Sequence, residues 1–542
     1  MATAAPASPL RNPVFRALWL GQLGSNVGTW MQNVAAAWLM TSLTESAAVI
    51  ALVQTATSLP VFLIAIPGGA LADIVDRRRL LLVMQTWMCV VAAVLGLVTL
   101  AGSVTPLLLL ALTFSLGLGA AVNAPAWQAV VPDVVGREQL AAAVALNSAS
   151  FNVARAVGPA LGGLLVGAFG AGAAFLVNAA SFLGILFVVA RWQSPPRPDV
   201  MPSERLAGAM RAGLRYVRHA GPLRAVLVRV GACMMFATAL WALLPVIART
   251  QFGLGSAGYG LLLGCIGAGA VVSSVVLPRI RPRLGGEGIV RIATLVFAGV
   301  MAICATTTSL PAVAVTLFFG GMGWIGIMSS FNVSVQLTAP SWVKARALST
   351  YLLVFQGSMA AGSVVWGVVA EQVSLPTSLL AAAAGLASTV ALTRWFPIGA
   401  GEGVDLTPSM HWTVPEPVAP PRLRDGPVLV TVEYRIAPES VTPFLEAVEG
   451  VRRIRLRDGA EAWGIFQDLA DGTRFFETFL VESWEEHLRQ HARVTVGDRD
   501  VETRARAFHI GPEPPIVSHL IAPYARPSRL SFVDRWIRQE SS

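Results

Sequence analysis

The chain has 542 residues, of which 54% are hydrophobic and only 13% are charged, and its mean hydropathy is +0.63. The charged fraction is about half that of an ordinary soluble protein, which excludes a chain built only of water-soluble domains. The net charge of +9 is unevenly spread: residues 1–395 hold 23 Lys and Arg against 9 Asp and Glu, whereas residues 396–542 hold 17 against 22. The basic excess belongs to the apolar part, which favours anionic inner-leaflet lipid as a partner and argues against nucleic acid.

Twelve apolar stretches, named TM1 to TM12, are long enough to cross a bilayer, which takes about 20 residues. The sequence predicts them at 15–40, 47–71, 80–101, 105–131, 140–168, 171–190, 223–248, 257–278, 289–308, 311–337, 345–370 and 375–395. Arg and Lys fall in every second gap between them, with Arg249 as the exception. Because positive residues accumulate on the cytoplasmic side, we expect a multi-pass cell-membrane protein with its N- and C-termini in the cytoplasm.

The order of these stretches predicts the domain organisation. We expect an N-terminal six-helix bundle (1–190), a cytoplasmic connector (191–222), a second six-helix bundle (223–396), a linker (397–427), a soluble domain (428–525) and a tail (526–542). Within the connector, residues 203–219 place apolar residues at helical spacing beside a row of arginines. This pattern is typical either of a basic amphipathic helix at the lipid headgroups or of a solvated linker helix.

The segment after residue 427 predicts a soluble α+β domain. Alternating and helical spacings give the order strand, helix, strand, strand, helix, strand, which is typical of a ferredoxin-like sandwich. His487 and His491 lie four residues apart on the second helix. The spacing suits a metal or haem, but no H-E-x-x-H motif surrounds it, and we interpret the two residues as a solvated or packing pair. The sequence therefore predicts no cofactor and no metal.

A charged motif follows TM2. It reads Gly69-Ala-Leu-Ala-Asp73-Ile-Val-Asp76-Arg77-Arg78-Arg79. It resembles the signature between TM2 and TM3 of the major facilitator superfamily, G-x-L-a-D-R-x-G-R-R, with Ile74 in place of the first Arg and Asp76 in place of the second Gly. The resemblance implies a gating role for Gly69, Asp73, Arg77 and Arg78, in which the carboxylate at 73 contacts the partner half and stabilises the outward-facing state.

A second motif runs from TM4 into TM5. It comprises Asn123-Ala-Pro-Ala-Trp127-Gln128 and, after Asn147, Asn152-Val-Ala-Arg155-Ala-Val-Gly158-Pro159-Ala-Leu-Gly162-Gly163. It is similar to the enterobactin-exporter-like, transmembrane secretion effector branch of that superfamily. The resemblance implies a secondary transporter, not an enzyme, that exports a bulky amphipathic siderophore-like or drug-like molecule by alternating access.

Arg155 is the residue that most favours a function inside the membrane. A buried cation costs a few kcal/mol or more in a bilayer, so such residues face the bundle interior. Arg155 attracts an anionic or oxygen-rich substrate group, acts as a countercharge in gating, or is a structural residue satisfied by helix-end carbonyl groups. Just after it, Gly158, Gly162 and Gly163 permit close helix approach and Pro159 allows bending, which favours either a hinge between the halves or plain tight packing.

Polar and aromatic residues on TM1, TM4, TM7 and TM10 predict a central cavity. In the superfamily these four helices line the cavity, so the resemblance implies a substrate site formed by Gln22, Asn26, Trp30, Asn33, Asn123, Trp127, Gln128, Arg155, Trp324, Asn332 and Gln336. A tryptophan can instead anchor a helix at the membrane interface. We interpret Trp38 and Trp241 in that way.

Three further expectations concern mechanism. No Asp or Glu lies at mid-membrane depth, so Asp73 and Glu371 are the nearest proton carriers and the coupling ion stays open. No P-loop is present, which argues against ATP hydrolysis. The soluble domain resembles antibiotic-biosynthesis-monooxygenase-like dimeric α/β barrels in strand order and in Ser483-Trp484 followed by His491, which implies dimerisation. A membrane-tethered enzyme of that kind, or a receptor or scaffold that transports nothing, are the alternative functions.

Overall fold

The computed structural model describes residues 8–192, 213, 215–398, 404–412, 421–423 and 425–522, without the side-chain surroundings of residues 65–74, 129, 133, 137 and 141. The chain forms two compact units. The membrane unit comprises Met1–Ser203, Ala225–Ser334 and Leu348–Gly399. The soluble unit comprises Glu204–Arg224, Val335–Ala347 and Ala400–Ser542.

The described part of the chain contains twelve helical spans, which confirms the predicted fold class. They are TM1 (Pro13–Leu43), TM2 (Ala47–Ile74), TM3 (Arg77–Leu100), TM4 (Pro106–Val134), TM5 and TM6 together (Leu140–Arg191), TM7 (Gly221–Val246), TM8 and TM9 together (Ser256–Thr306), TM10 (Leu310–Thr338), TM11 (Lys344–Gln372) and TM12 (Leu375–Ser388, followed by a 3₁₀ turn at Thr389–Arg394). Gly170 and Gly285, with φ of 82° and 65°, break the two long runs. Only glycine adopts such a φ readily, so each break separates two spans.

The helices begin where the sequence supplies a cap. Side-chain oxygens of Asn12, Asp76, Thr105 and Ser374 accept backbone N–H bonds in the first turns of TM1, TM3, TM4 and TM12. The first turns of TM1, TM4 and TM12 also carry a proline, whose missing N–H costs nothing at that position. Asp76, which departs from the superfamily signature, therefore caps TM3.

The two halves of the membrane unit pack along TM5 and TM8. A Cβ on Gly163 would lie 2.6 Å from the Ser256 carbonyl oxygen, and one on Gly260 would lie 2.8 Å from the Gly163 Cα. On its other side, TM5 packs as closely on TM1, because a Cβ on Gly162 would lie 2.7 Å from the Met31 Cα. Small residues thus let TM5 lie in direct backbone contact with a helix of each half.

The soluble unit contains a four-stranded antiparallel sheet in the order β2-β3-β1-β4. Its elements are β1 (Val428–Arg435), a helix (Val441–Asp458), β2 (Ala460–Gln467), β3 (Arg474–Val481), two helices (Trp484–Arg493 and Val496–Arg506) and β4 (Ile516–Ile521). This is the ferredoxin-like order that the sequence predicts, with one addition: Val496–Arg506 is a third helix that the prediction lacked.

Segments outside the sheet also belong to the soluble unit. Within the predicted linker, the Thr407 carbonyl accepts from the Val496 backbone N–H at 2.9 Å, and Ser409 N–H donates to the Val494 carbonyl at 2.9 Å. The packed part of this unit therefore begins before residue 428. The predicted amphipathic segment (203–219) lies mostly outside the described residues; its described residues, 213 and 215–219, are helical.

Candidate functional site

Arg155 lies inside the membrane unit with its guanidinium group among three tryptophans. Its guanidinium carbon is 5.9 Å from the ring centre of Trp30, 5.8 Å from that of Trp241 and 6.0 Å from that of Trp324. Only 8% of the residue is exposed. It follows Leu140, the first residue of TM5, by 15 residues, which is about 22 Å along the helix axis. We call these four residues the Arg155 cage.

The Arg155 cage is built by both halves of the bundle. Trp30 and Arg155 come from TM1 and TM5 in the first half, and Trp241 and Trp324 come from TM7 and TM10 in the second. The rings of Trp241 and Trp324 are 5.1 Å apart and meet edge to face. Any movement of one half relative to the other must therefore change the surroundings of the Arg155 guanidinium.

Hydrogen bonding in the Arg155 cage is incomplete. Among the described residues, no carboxylate pairs with Arg155, and its buried Nε–H has no acceptor. The buried Nε1–H of Trp241 also lacks an acceptor. A cation–π contact provides about 0.5–2 kcal/mol and leaves the N–H donors unused. The site can therefore bind an oxygen-rich or anionic group at Arg155 while aromatic faces contact an apolar portion of the same ligand.

Trp324 joins the cage to a larger aromatic cluster of the second half. Its ring centre lies 5.7 Å from that of Phe297 and 6.2 Å from that of Phe355, which in turn is 6.0 Å from Tyr351. Such pairs each contribute about 0.5–1.5 kcal/mol beyond their buried area. The ring of Trp324 is therefore held in place on the side away from Arg155.

The other predicted cavity residues do not all gather at this point. The amides of Gln22 and Asn26 bond each other at 2.8 Å along TM1. Asn123 is buried and accepts from Gln85 Nε2 at 3.2 Å, within the first half. Of the remaining five, Trp127 packs against the core of the first half, Gln128 and Gln336 are exposed, and Asn33 and Asn332 are half-buried.

The motif after TM2 is only partly described. Gly69 and Asp73 lie in TM2, but their side chains lie outside the described part. Arg77 is half-buried at the start of TM3. Arg78 donates to the carbonyls of Val189 at 3.3 Å and Ala190 at 2.5 Å. These carbonyls end TM6, where a cation is favourable, so Arg78 contacts its own half of the bundle.

The glycines of TM5 lie beside the Arg155 cage and allow the neighbouring helices to pack closely there. A Cβ on Gly158 would lie 2.5 Å from the Trp30 Cβ, so this glycine lets TM1 bring Trp30 next to Arg155. The Pro159 carbonyl oxygen would lie 2.7 Å from a Cβ on Gly260 of TM8. Larger residues at these places would separate TM5 from both of its neighbours.

The halves also contact each other at the end of the bundle where TM1 ends and TM2 begins. Arg249 Nη1 donates to the backbone carbonyl and to the hydroxyl of Thr41, the latter at 3.1 Å. Glu371, at the end of TM11, accepts from the Ser46 hydroxyl and from the Ala48 N–H at 3.0 Å. We call these contacts the TM1–TM2 seal. Arg249, the exception in the charge pattern, thus bonds to the other half.

The sequence of this chain matches a known protein family. The family described as transmembrane secretion effector matches residues 4–528. The chain belongs to this family. The match confirms the resemblance drawn from the motifs of TM2 to TM5, while the resemblance of the soluble domain to monooxygenase-like barrels stays a prediction.

Two named proteins are similar in sequence to this family member. The staphyloferrin A transporter of Staphylococcus aureus is 23% identical over 261 residues, which are 48% of this chain and 65% of that protein. The enterobactin exporter EntS of Shigella boydii is 28% identical over 267 residues, 49% of this chain and 63% of the relative. The matched regions thus span less than two thirds of either relative.

Solved structures share the fold of this family member. A bacterial homologue of the human lysosomal transporter Spinster superposes with a TM-score of 0.57 at 14% sequence identity. The superposition covers 72% of this chain and 97% of the homologue's chain. The nucleoside transporter NupG superposes with a TM-score of 0.60 at 11% identity, covering 71% and 100%. At such identities the likeness establishes the major facilitator fold.

Sequence reasoning about this family member misassigned two tryptophans, of which one belongs to the Arg155 cage. Trp241, interpreted as an interface anchor, instead lies beside Arg155, because TM7 turns this ring toward TM5 and TM10. Trp38 stacks on Tyr259 of TM8 with ring centres 5.9 Å apart, so it contacts the other half. The sequence did hold one signal for these aromatic neighbours. Arg155 has no acidic residue near it on its own helix, so aromatic rings of other helices were its expected contacts.

Proposed function

We propose that this protein is a secondary transporter, not an enzyme, that exports a bulky amphipathic, siderophore-like molecule across the cell membrane by alternating access. The Arg155 cage carries the proposal. A cation with an unused N–H donor, enclosed by aromatic rings from both halves, suits a ligand with oxygen-rich and apolar portions. The names of the two relatives, a staphyloferrin A transporter and an enterobactin exporter, support the substrate class.

The TM1–TM2 seal supports the conformational part of the proposal. Arg249 and Glu371 each bond from the second half to the first at one end of the bundle. In an alternating-access transporter, contacts at one end must break before the site opens there. We infer that breaking these bonds opens the Arg155 cage toward the outside.

Flux through reconstituted vesicles tests this function. The purified protein is reconstituted and assayed with enterobactin and staphyloferrin A as test cargo, with and without a pH gradient. We expect saturable flux that Arg155→Ala lowers by at least 100-fold, because each unpaired substrate charge costs several kcal/mol in a low-dielectric site. Arg279→Ala is the matched control, since Arg279 is exposed and, among the described residues, donates to the Val275 carbonyl within its own helix. Flux that survives Arg155→Ala unaltered contradicts the proposal.

We also propose the orientation and the lipid partners from the charge pattern. The basic gaps place the connector and the C-terminal domain in the cytoplasm, next to anionic lipid. Single cysteines at Ser103 and at Arg218 test this with a membrane-impermeant thiol reagent on whole cells, after the four native cysteines are replaced. Labelling at 103 alone is expected, and labelling of both positions from the same side would overturn it.

The soluble domain is a candidate for dimerisation. Edge strand β4 exposes Ile516, Val517 and Leu520, and Phe466 of β2 is 46% exposed. An apolar edge strand of this kind favours pairing with another strand, which supports a second copy as the partner. Light scattering of the detergent-solubilised protein should give a dimer, and Leu520→Lys should convert it to a monomer; a wild-type monomer would contradict the proposal.

A further inference from the structure

Three histidines from two elements of the soluble unit meet in one place. His487 and His491 lie one turn apart on the helix Trp484–Arg493, and His519 comes from β4. A ring nitrogen from each lies within 4.8 Å of the other two. The sequence interpretation treated the first two as an isolated pair, because only the sheet pairing of β1 with β4 brings His519 to them.

The distances suit a metal ion. The Nε2 atoms of His487 and His491 are 3.2 Å apart. Two imidazole nitrogens bound to one tetrahedral ion at 2.0–2.1 Å lie about 3.3 Å apart. The pair therefore already has nearly the spacing of two metal ligands, and a small rotation of the half-buried His519 ring brings a third nitrogen into range.

The surroundings leave these rings poorly satisfied without an ion. The Nδ1 atoms of His487 and His491 are buried without a hydrogen-bond partner among the described residues, as are both amide atoms of Gln490 between them. Trp484 and Trp412 pack on the cluster, with ring centres 5.4 Å from His487 and 5.1 Å from His491 respectively. A direct bond between two histidines satisfies at most one nitrogen of each ring.

We propose that His487, His491 and His519 bind one divalent transition-metal ion, of the Zn²⁺, Co²⁺ or Ni²⁺ class, with a fourth position open to water or a ligand. Nitrogen ligands of this kind suit these ions rather than Mg²⁺ or Ca²⁺, which take oxygen. The site belongs to the soluble unit and is independent of the proposed transport function.

Metal titration of the full-length protein tests this site. The chain is purified in detergent with a tag that contains no histidine, stripped with EDTA and titrated with Co²⁺, whose visible absorption reports a four-coordinate site. We expect one Co²⁺ per chain, displaced by Zn²⁺. His487→Gln, His491→Gln and His519→Gln should each weaken binding by at least 100-fold, since loss of outer partners alone typically costs 10- to 100-fold.

The control is His509→Gln. His509 lies in the same unit but bonds the Arg435 N–H at 2.9 Å and the Glu513 carbonyl at 3.0 Å, away from the cluster. It should leave Co²⁺ affinity unchanged. If the variants at the buried positions 487 and 491 do not fold, His519→Gln provides the test. His519 is half-buried on an edge strand, so its substitution should leave the fold intact. The proposal is overturned if the wild type binds no Co²⁺, or if His519→Gln binds it as tightly as the wild type.

Discussion

The two units of this protein each bury an arginine against tryptophan, and they satisfy it in opposite ways. In the soluble unit, Arg455 is 3% exposed; its Nε bonds Glu477 at 3.0 Å and its Nη1 bonds Glu502 at 2.7 Å, beneath the ring of Trp412 at 4.6 Å. In the membrane unit, Arg155 is similarly buried, but among the described residues its guanidinium group contacts three tryptophan rings and has no carboxylate partner.

The difference separates a structural arginine from a binding arginine. The carboxylates around Arg455 are themselves fully used: Glu477 also accepts from Tyr434 and Trp463, and Glu502 accepts from Trp412. Such a complete network rigidifies a core and leaves nothing for a ligand. A site that keeps donors unused, as the Arg155 cage does, is stabilised when a ligand accepts from them.

The largest expected effect comes from breaking the complete network. Arg455→Met leaves Glu477 and Glu502 buried without their cation, which costs about 3–5 kcal/mol. Hydrogen exchange of β1 and β3 in the full-length protein measures this as faster local opening. Arg453→Ala, at an exposed position of the same helix, should change exchange little. Equal exchange in Arg455→Met and the wild type would show that the network is not what holds the sheet.

A second pair of variants compares two buried arginines within the membrane unit. Arg229 is 1% exposed and bonds both oxygens of Glu287 at 2.7 Å. Arg229→Met leaves Glu287 without its main partner and should lower the thermal unfolding temperature clearly. Arg155→Met removes a cation that has no carboxylate, so stability should stay equal or rise. Thermal unfolding in detergent measures both, and a large loss in Arg155→Met would identify that residue as structural.

The pH dependence of the soluble unit is a smaller effect with a defined sign. Burial and the neighbouring His491 and His519 lower the pKa of His487 to about 3 in the folded state, against about 6.5 in an unfolded chain. Between these values the unfolded state binds more protons, so stability falls as pH drops below 6.5, by about 1.4 kcal/mol per unit for this residue. We expect a loss of about 2 kcal/mol between pH 6.5 and 5.

Hydrogen exchange of β1 in EDTA, at several pH values, measures this slope. His487→Phe removes one of two titrating groups and should reduce the slope between pH 6.5 and 5 by about half, because burial and the neighbouring His519 also lower the pKa of His491, to about 4. A wild-type slope that equals the variant's would show that protonation of this ring does not oppose folding.

The smallest expected effect comes from the cage walls. Trp241→Phe keeps an aromatic ring but reduces its face, so the transport KM should rise about threefold to tenfold, in line with 0.5–1.5 kcal/mol for such contacts. Trp87→Phe is the matched control, because Trp87 is 49% exposed on TM3. Equal KM values for the two variants would remove Trp241 from the site.

Much of the membrane unit follows from the sequence because its signals are local. The length of each apolar stretch and the alternation of Arg and Lys depend on neighbouring residues only. Arg155 also stands out locally, as a cation in an apolar helix. Its partner Trp241 does not, because the rotation of TM7 about its axis depends on packing across the two halves. The family resemblance places Trp30 and Trp324 in the predicted site.

The soluble unit shows the same limit. The helix Val496–Arg506 has a capping box at Thr495 and Asp498, a signal that sequence reasoning could have used. Its mostly polar composition hid it. His519 could not be placed beside His487, since the register of β4 against β1 is set by the folded sheet.

Equilibrium binding to the purified protein tests the central claim most directly. The cargo that the vesicle assay identifies is titrated into wild-type protein and into Arg155→Met, with thermal unfolding measured on the same samples. We expect Arg155→Met to bind the cargo at least 100-fold more weakly than the wild type, at undiminished stability. Unchanged affinity, with Arg155 replaced and the fold intact, would contradict it.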